Sequence, residues 1–163
     1  RLMTESDYNE CVDKYADHVF RFICKSIGHQ EDARDIIQSS FEKMWKNRNN
    51  VKVETAKSYL FEIAYHQMID HLRKVKRIRL KETFSDTDGI VYQPSNESKN
   101  ILELALATLS EVQRSLVMLK DYEGYSYQEI GKITRLNESQ VKVYLHRARI
   151  QLKDFIGKKE NVS

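Results

Sequence analysis

Histidine spacing gives the first test for chemistry. His18, His29, His66, His71 and His146 fall into neither the His-x-x-x-His nor the Glu-x-x-His arrangement that brings metal ligands onto one helix face. Cys11 and Cys24 have no zinc spacing and no framework of further cysteines around them, so they read as two buried free thiols. There is no Gly-rich phosphate loop and no Gly-x-Ser-x-Gly. Acid pairs such as Asp32 and Asp35 read as solvated helix surface. The expectation is a chain with no catalytic residue, no metal and no cofactor. The residues that could do chemistry instead lie in the last forty positions. A short helix from Ser126 to about Ile133 leads through a tight turn into a longer basic helix from Glu138 to about Phe155, the pattern of a helix-turn-helix. The second helix would turn Val141, Leu145, Ala148 and Leu152 inward and present Ser139, Gln140, Lys142, Val143, His146 and Arg147. Lys142 and Arg147 can donate to guanine or phosphate, and Gln140 can pair with adenine.

Those side chains need helices to hold them, and the pattern is helical throughout. Tyr8, Val12, Tyr15, Ala16, Val19, Ile23 and Ile27 recur at spacings of three and four, and Gly28 supplies a stop. A second helix opens on the acids Glu31 and Asp32, runs through Ala33, Ile36, Ile37, Phe41, Met44 and Trp45, and dissolves in Asn47, Asn49 and Asn50. A third begins near Ala56 and ends in the basic run Arg73–Arg79. Residues 82–98 hold the only proline and little periodicity, and read as a flexible linker. Four helices follow. Their starts are marked by Ser110-Glu-Val-Gln113, Ser126-Tyr-Gln-Glu129 and Asn137-Glu-Ser-Gln140, each with a capping side chain three residues before Glu or Gln. The fold class is all-α.

The chain has 163 residues, 40% of them apolar and 31% charged, with one proline and five glycines. A β-sandwich or barrel would need turn residues every ~8–12 positions, which this composition lacks. No apolar run approaches the ~20 residues of a membrane span, so no membrane insertion is expected. The net charge of +3 is unevenly divided. Residues 1–42 carry five basic and nine acidic side chains, 66–81 carry six and one, 82–141 carry five and ten, and 142–163 carry six and two. Two basic blocks thus each close a more acidic segment, which suits a polyanion meeting two separate surfaces.

The segment Glu123-Gly-Tyr-Ser-Tyr-Gln-Glu-Ile-Gly131 with Val141-Lys-Val-Tyr-Leu-His-Arg-Ala-Arg149 closely resembles region 4 of bacterial sigma factors of the extracytoplasmic-function group, a branch of the sigma-70 family. Glu31-Asp-Ala-Arg-Asp-Ile-Ile-Gln38, with Phe41 and Trp45, resembles region 2.2 of that family. Ser58-Tyr-Leu-Phe-Glu-Ile-Ala64 followed by Ile69-Asp-His-Leu-Arg73 resembles regions 2.3 and 2.4. The likeness spans about residues 8–78 and 99–157.

The resemblance implies two small helical domains: a region 2-like bundle over residues 1–79 and a region 4-like helix-turn-helix over 99–163, joined by a linker at 80–98. It implies a promoter-specificity subunit as the function. The first domain would bind the clamp helices of the largest subunit of core RNA polymerase through Asp32, Asp35, Gln38 and Glu42. It would also meet the melted −10 element through the loop Asn50–Thr55 with Lys52, through Tyr59, Phe61, Tyr65 and His66, and through Arg73, Lys74, Lys76 and Arg77. Of the three aromatics, Phe61 is the one expected to stand exposed as a platform for an unstacked base. The second domain would bind the flap of the other large subunit and read the −35 duplex through the recognition-helix residues already named, with Arg149. An anti-sigma factor is a further implied partner, and the location is cytoplasmic, with such a partner able to hold the chain at the inner membrane. Departures from the family pattern are Tyr65-His66 in place of Arg-Asn, Arg135 in place of the turn glycine, Tyr144 in place of an Arg, and Val143 in place of a small residue. The competing readings are a stand-alone helix-turn-helix regulator on duplex operator DNA and a helical interaction module.

Overall fold

The computed structural model describes residues 1–82 and 100–162, and among these it is helical without a strand. The first half holds α1 (Glu5–Ile27), α2 (Gln30–Lys46) and α3 (Ala56–Glu82). The second holds α4 (Ile101–Ala107), α5 (Glu111–Val117), a π-helical turn (Met118–Tyr122), α6 (Tyr127–Thr134) and α7 (Glu138–Val162). α3 continues through residues 80–82, so the span read as linker begins as helix; the rest of it lies outside the described residues.

Local chemistry explains the boundaries. Thr4 caps α1 and Asp7 returns the bond, a start that the apolar period alone placed later, at Tyr8. Gly28 ends α1 in the left-handed conformation, with its N–H on the Cys24 carbonyl. Between α2 and α3 the chain makes two single 3-10 turns, Arg48–Asn50 and Val53–Thr55. Ser110 with Gln113 and Ser126 with Glu129 form complete reciprocal boxes at the heads of α5 and α6.

The two halves share one continuous apolar core. Phe61 of α3 lies between Phe22 of α1 (ring centroids 5.3 Å apart) and Tyr125 of the second half (5.5 Å). Polar contacts flank this seam. The buried Arg114 guanidinium of α5 donates to the Ser26 carbonyl of α1 at 2.8 Å and to the carbonyls of Leu106 and Leu109. Arg21 reaches Glu123, whose side chain is only 2% exposed, at 3.0 Å, with His18 at 3.5 Å from the same carboxylate. Lys25 pairs with Glu103. Cys11 is buried, and burial pushes its thiol up to about 11; Cys24, expected to be buried, is half-buried.

Candidate nucleic-acid interface

α6 and α7 form the helix-turn-helix, and capping sets its geometry. Asn137 Oδ1 accepts from the Gln140 N–H at 2.8 Å while Gln140 Oε1 accepts from the Asn137 N–H at 3.0 Å, a fourth complete reciprocal box after those of α1, α5 and α6. The turn into α7 passes through Arg135, left-handed at φ 63°, where a non-glycine residue is strained. A Cβ added at Gly131 would stand 2.9 Å from the Leu136 carbonyl oxygen, so a glycine in α6 lets the turn fold back this tightly. Val141, Leu145 and Ala148 are buried, and Ser139, Lys142, Val143, His146, Arg147 and Arg149 are exposed.

The exposed set is not uniformly at liberty. Gln140 is exposed, but its amide oxygen is held by the cap, so the expected pairing with adenine lacks its acceptor in this rotamer. Arg149 is tied to Asp121 at 2.7 Å, a bond that raises its already high pKa. Lys142 leans on Glu138 at 3.4 Å, an exposed pair of small energetic value. Ser139, His146 and Arg147 make no side-chain hydrogen bond or ion pair among the described residues. Together with the 44% exposed Val143 they are the ready part of the surface. Sequence reasoning missed Tyr127, whose ring lies 4.7 Å from the Lys120 ammonium and 5.5 Å from that of Lys142. The signal was the single Tyr inside the α6 capping box. Its role emerges only when the π-helical turn brings Lys120 alongside.

In the first half, Asp35, Gln38 and Glu42 stand exposed along α2 at helical spacing, while Asp32 is half-buried, 3.5 Å from His71. Arg73, Lys74, Lys76 and Arg77 are exposed at the far end of α3, with Lys52 exposed on the loop before it. The expected aromatic platform is absent from this surface. Phe61 is wholly enclosed rather than exposed, and Tyr65 is 5% exposed, because α6 and the segment before it cover this face of α3. Tyr59 is half-buried and its hydroxyl accepts from Asn47 Nδ2 at 3.2 Å. His66 faces the end of α6. Desolvation and the nearby Arg135 guanidinium hold its pKa below the ordinary 6.5, against a smaller pull from the Ile133 carbonyl. The structure therefore gathers the basic residues and Lys52 on open surface and places Phe61, Tyr65 and His66 in the seam.

Among the described residues no cluster of His, Cys, Asp and Glu could hold a metal ion, and no helix is long and apolar enough to cross a membrane. Residues 11–78 match the family model for Sigma-70 region 2, and residues 99–152 match that for Sigma-70, region 4. The chain is 30% identical over 159 residues to the ECF RNA polymerase sigma factor SigE of Mycolicibacterium smegmatis, covering 93% of this chain and 62% of that one. It is 30% identical over 151 residues to the RNA polymerase sigma factor SigV of Bacillus subtilis, covering 87% and 89%. Its fold is similar, with a TM-score of 0.79 and 20% identity, to the sigma factor RpoE of Bartonella quintana, solved in complex with the anti-sigma factor NepR. That match covers 93% of this chain and 97% of the other.

Proposed function

The chain belongs to the extracytoplasmic-function group of the sigma-70 family of RNA polymerase sigma factors, and from that premise we propose how its surfaces divide the work of promoter recognition. It binds core RNA polymerase, recognises −35 duplex and −10 melted DNA, and directs transcription initiation without being an enzyme itself. The observation that carries this reading is the α7 face. It is a basic helix, capped at its head and packed on α6, that presents Ser139, Val143, His146 and Arg147 without internal partners. Such a face can enter a major groove and meet base edges with its first turns. The exposed Asp35, Gln38 and Glu42 on α2 serve the clamp helices. Lys52 with Arg73, Lys74, Lys76 and Arg77 supplies the cations that a single strand requires.

The seam adds a condition. Phe61, Tyr65 and His66 can meet an unstacked base only after α6 leaves α3, so engagement of −10 DNA by these three requires the halves to part. The extents of the two family matches, residues 11–78 and 99–152, support a first domain over 1–79 and a second over 99–163. An anti-sigma partner and a cytoplasmic location complete the reading.

The test is reconstitution of the full chain with core polymerase, followed by sequencing of transcript starts. Starts clustered downstream of a shared pair of elements are the expected result. Failure to associate with core, together with tight and sequence-specific duplex binding by the chain alone, overturns the reading in favour of a stand-alone regulator.

A further inference from the structure

Resting on the reading that the loop between α2 and α3 meets the −10 element, we propose that Leu2 and Met3 form a positioning strap for that loop. The strap would fix the loop's backbone so that an unstacked base meets preset polar groups rather than a mobile segment.

The loop has little to hold it in place by itself. Its two 3-10 turns are three residues each, and 3-10 geometry makes poorer hydrogen bonds than an α-helix. Asn47, Arg48, Asn49 and Asn50 offer no apolar period to bury. Its anchorage comes from the segment before α1. The Met3 N–H donates to the Val51 carbonyl at 2.8 Å, and the Val53 N–H donates to the Arg1 carbonyl at 2.9 Å. Between these bonds Leu2 and Lys52 face each other in an isolated antiparallel bridge. Met3 and Val51 are both buried in the core, and because side chains alternate along extended backbone, Lys52 is turned outward.

The strap is in turn locked to α1. Asp7 accepts from the Thr4 N–H and hydroxyl, both at 2.9 Å, and from both terminal nitrogens of the Arg1 guanidinium at 3.0 Å. These donors hold its carboxyl below the usual carboxylate range. On the far side, Asn47 is tied to Tyr59 of α3, and the Arg48 guanidinium lies 3.7 Å over the Trp45 ring. Rigidity thus passes from α1 through Asp7, Arg1 and Met3 to the loop, which leaves Asn49, Asn50 and Lys52 exposed on a fixed frame. Amide and ammonium groups held this way can bond the edge of an unstacked base. A reader fixed beforehand discriminates better than one that must be ordered on contact.

The test uses the full chain with core polymerase and a promoter series varying one −10 base at a time. Strap variants are Met3→Ala and Asp7→Asn, the second keeping the side chain's shape should the first fail to fold; loop variants are Asn50→Ala and Lys52→Ala. Strap variants are expected to speed hydrogen exchange at the Val53 amide. They should weaken discrimination between −10 bases by roughly fivefold or more, the low end of what one base contact supplies, and leave core binding unchanged. Loop variants are expected to shift base preference directly. If loop variants shift it and strap variants do not, or if Val53 exchange stays slow, the strap is overturned while the loop's role stands. If no loop variant changes base preference, the reading of the loop fails and the strap's role fails with it.

Discussion

A methyl group at position 131 would stand 2.9 Å from the Leu136 carbonyl oxygen, closer than packed atoms tolerate, whereas one at position 157 would meet nothing within 4 Å. The same substitution should therefore have opposite signs at the two sites. Gly131→Ala is expected to destabilise by about 1–3 kcal/mol through overpacking of the turn. Gly157→Ala, inside α7, should stabilise by up to about 1 kcal/mol through helix propensity. Denaturant midpoints of the two variants check both. His66 is the second residue with a signed consequence. It faces the Ile133 carbonyl on α6, Arg135 in the turn that follows, Asp70 on its own helix and Lys43 on α2, and its pKa lies below the unfolded value of 6.5. The open or unfolded chain therefore takes up the proton first, so the His66 contribution is complete above pH ~6.5 and is lost as pH falls toward the folded pKa. Asp7, Glu54 and Glu129, all lowered from ordinary carboxylate values, act in a separate and more acid window. Unfolding midpoints should thus decline as pH falls below ~6.5 in the native chain, with a shallower decline in His66→Gln.

Among the elements, the helix-turn-helix combines strong local signals with one local conflict. Its two helix heads carry full capping boxes, yet its turn places a left-handed backbone on Arg135 rather than on glycine. Arg135→Gly should therefore stabilise the domain, by about 1 kcal/mol after allowance for the greater freedom of glycine in the unfolded chain. Calorimetry checks this; a fall in melting temperature would mean that the Arg135 side chain stabilises more than its backbone conformation costs. The same pair of elements shows what a sequence reveals. The buried positions of α7 could be read from helical period, since Val141, Leu145 and Ala148 lie on one stripe that α4, α5 and α6 cover together, leaving the opposite face open. Residue type at the caps marked the helix heads, because Ser or Asn three residues before Glu or Gln has one economical local use. α3 was only half legible. Its residues have neighbours on more than one side, α1 and α2 from the first half and α6 from the second, so Phe61 and Tyr65, which the sequence offered as platforms for an unstacked base, are covered by contacts that one helix's pattern does not show. The strap on the loop was illegible for another reason: its bonds run from backbone to backbone and leave no mark on residue type.

Across the whole molecule, the two halves are joined by a shared aromatic core and by side chains from α1 that reach buried carboxylates of the second half. The Glu123 side chain is nearly inaccessible while Arg21, its partner, is about half exposed, so losing the arginine leaves a carboxylate with only His18 beside it. Arg21→Met is expected to cost about 1–3 kcal/mol, less than the ~3–5 kcal/mol for breaking a fully buried pair, because Arg21 is partly solvated. Replacing both residues with Met should recover most of that loss, since burying two apolar side chains avoids desolvating either charge. Thermal unfolding of the two single variants and the double variant measures the coupling. A double variant no more stable than Arg21→Met would show that the pair's charges are not what matters at the seam.

The same contacts can be counted as loop closures. Arg21 and Glu123 lie 102 positions apart, and Arg114 and Ser26 lie 88 apart, so docking the halves closes a very long loop. The entropy of closing a loop grows only with the logarithm of its length, about 0.6 kcal/mol for each doubling. Ten residues inserted within 83–98 would lengthen the larger loop by a tenth and change docking by only about 0.1 kcal/mol. An extended chain reaching between two separated sites behaves differently, because its maximum span rises in direct proportion to residue number, at about 3.3–3.6 Å per residue. Spacer length therefore barely affects the packed molecule, while it directly sets how far apart the two DNA-reading surfaces can work.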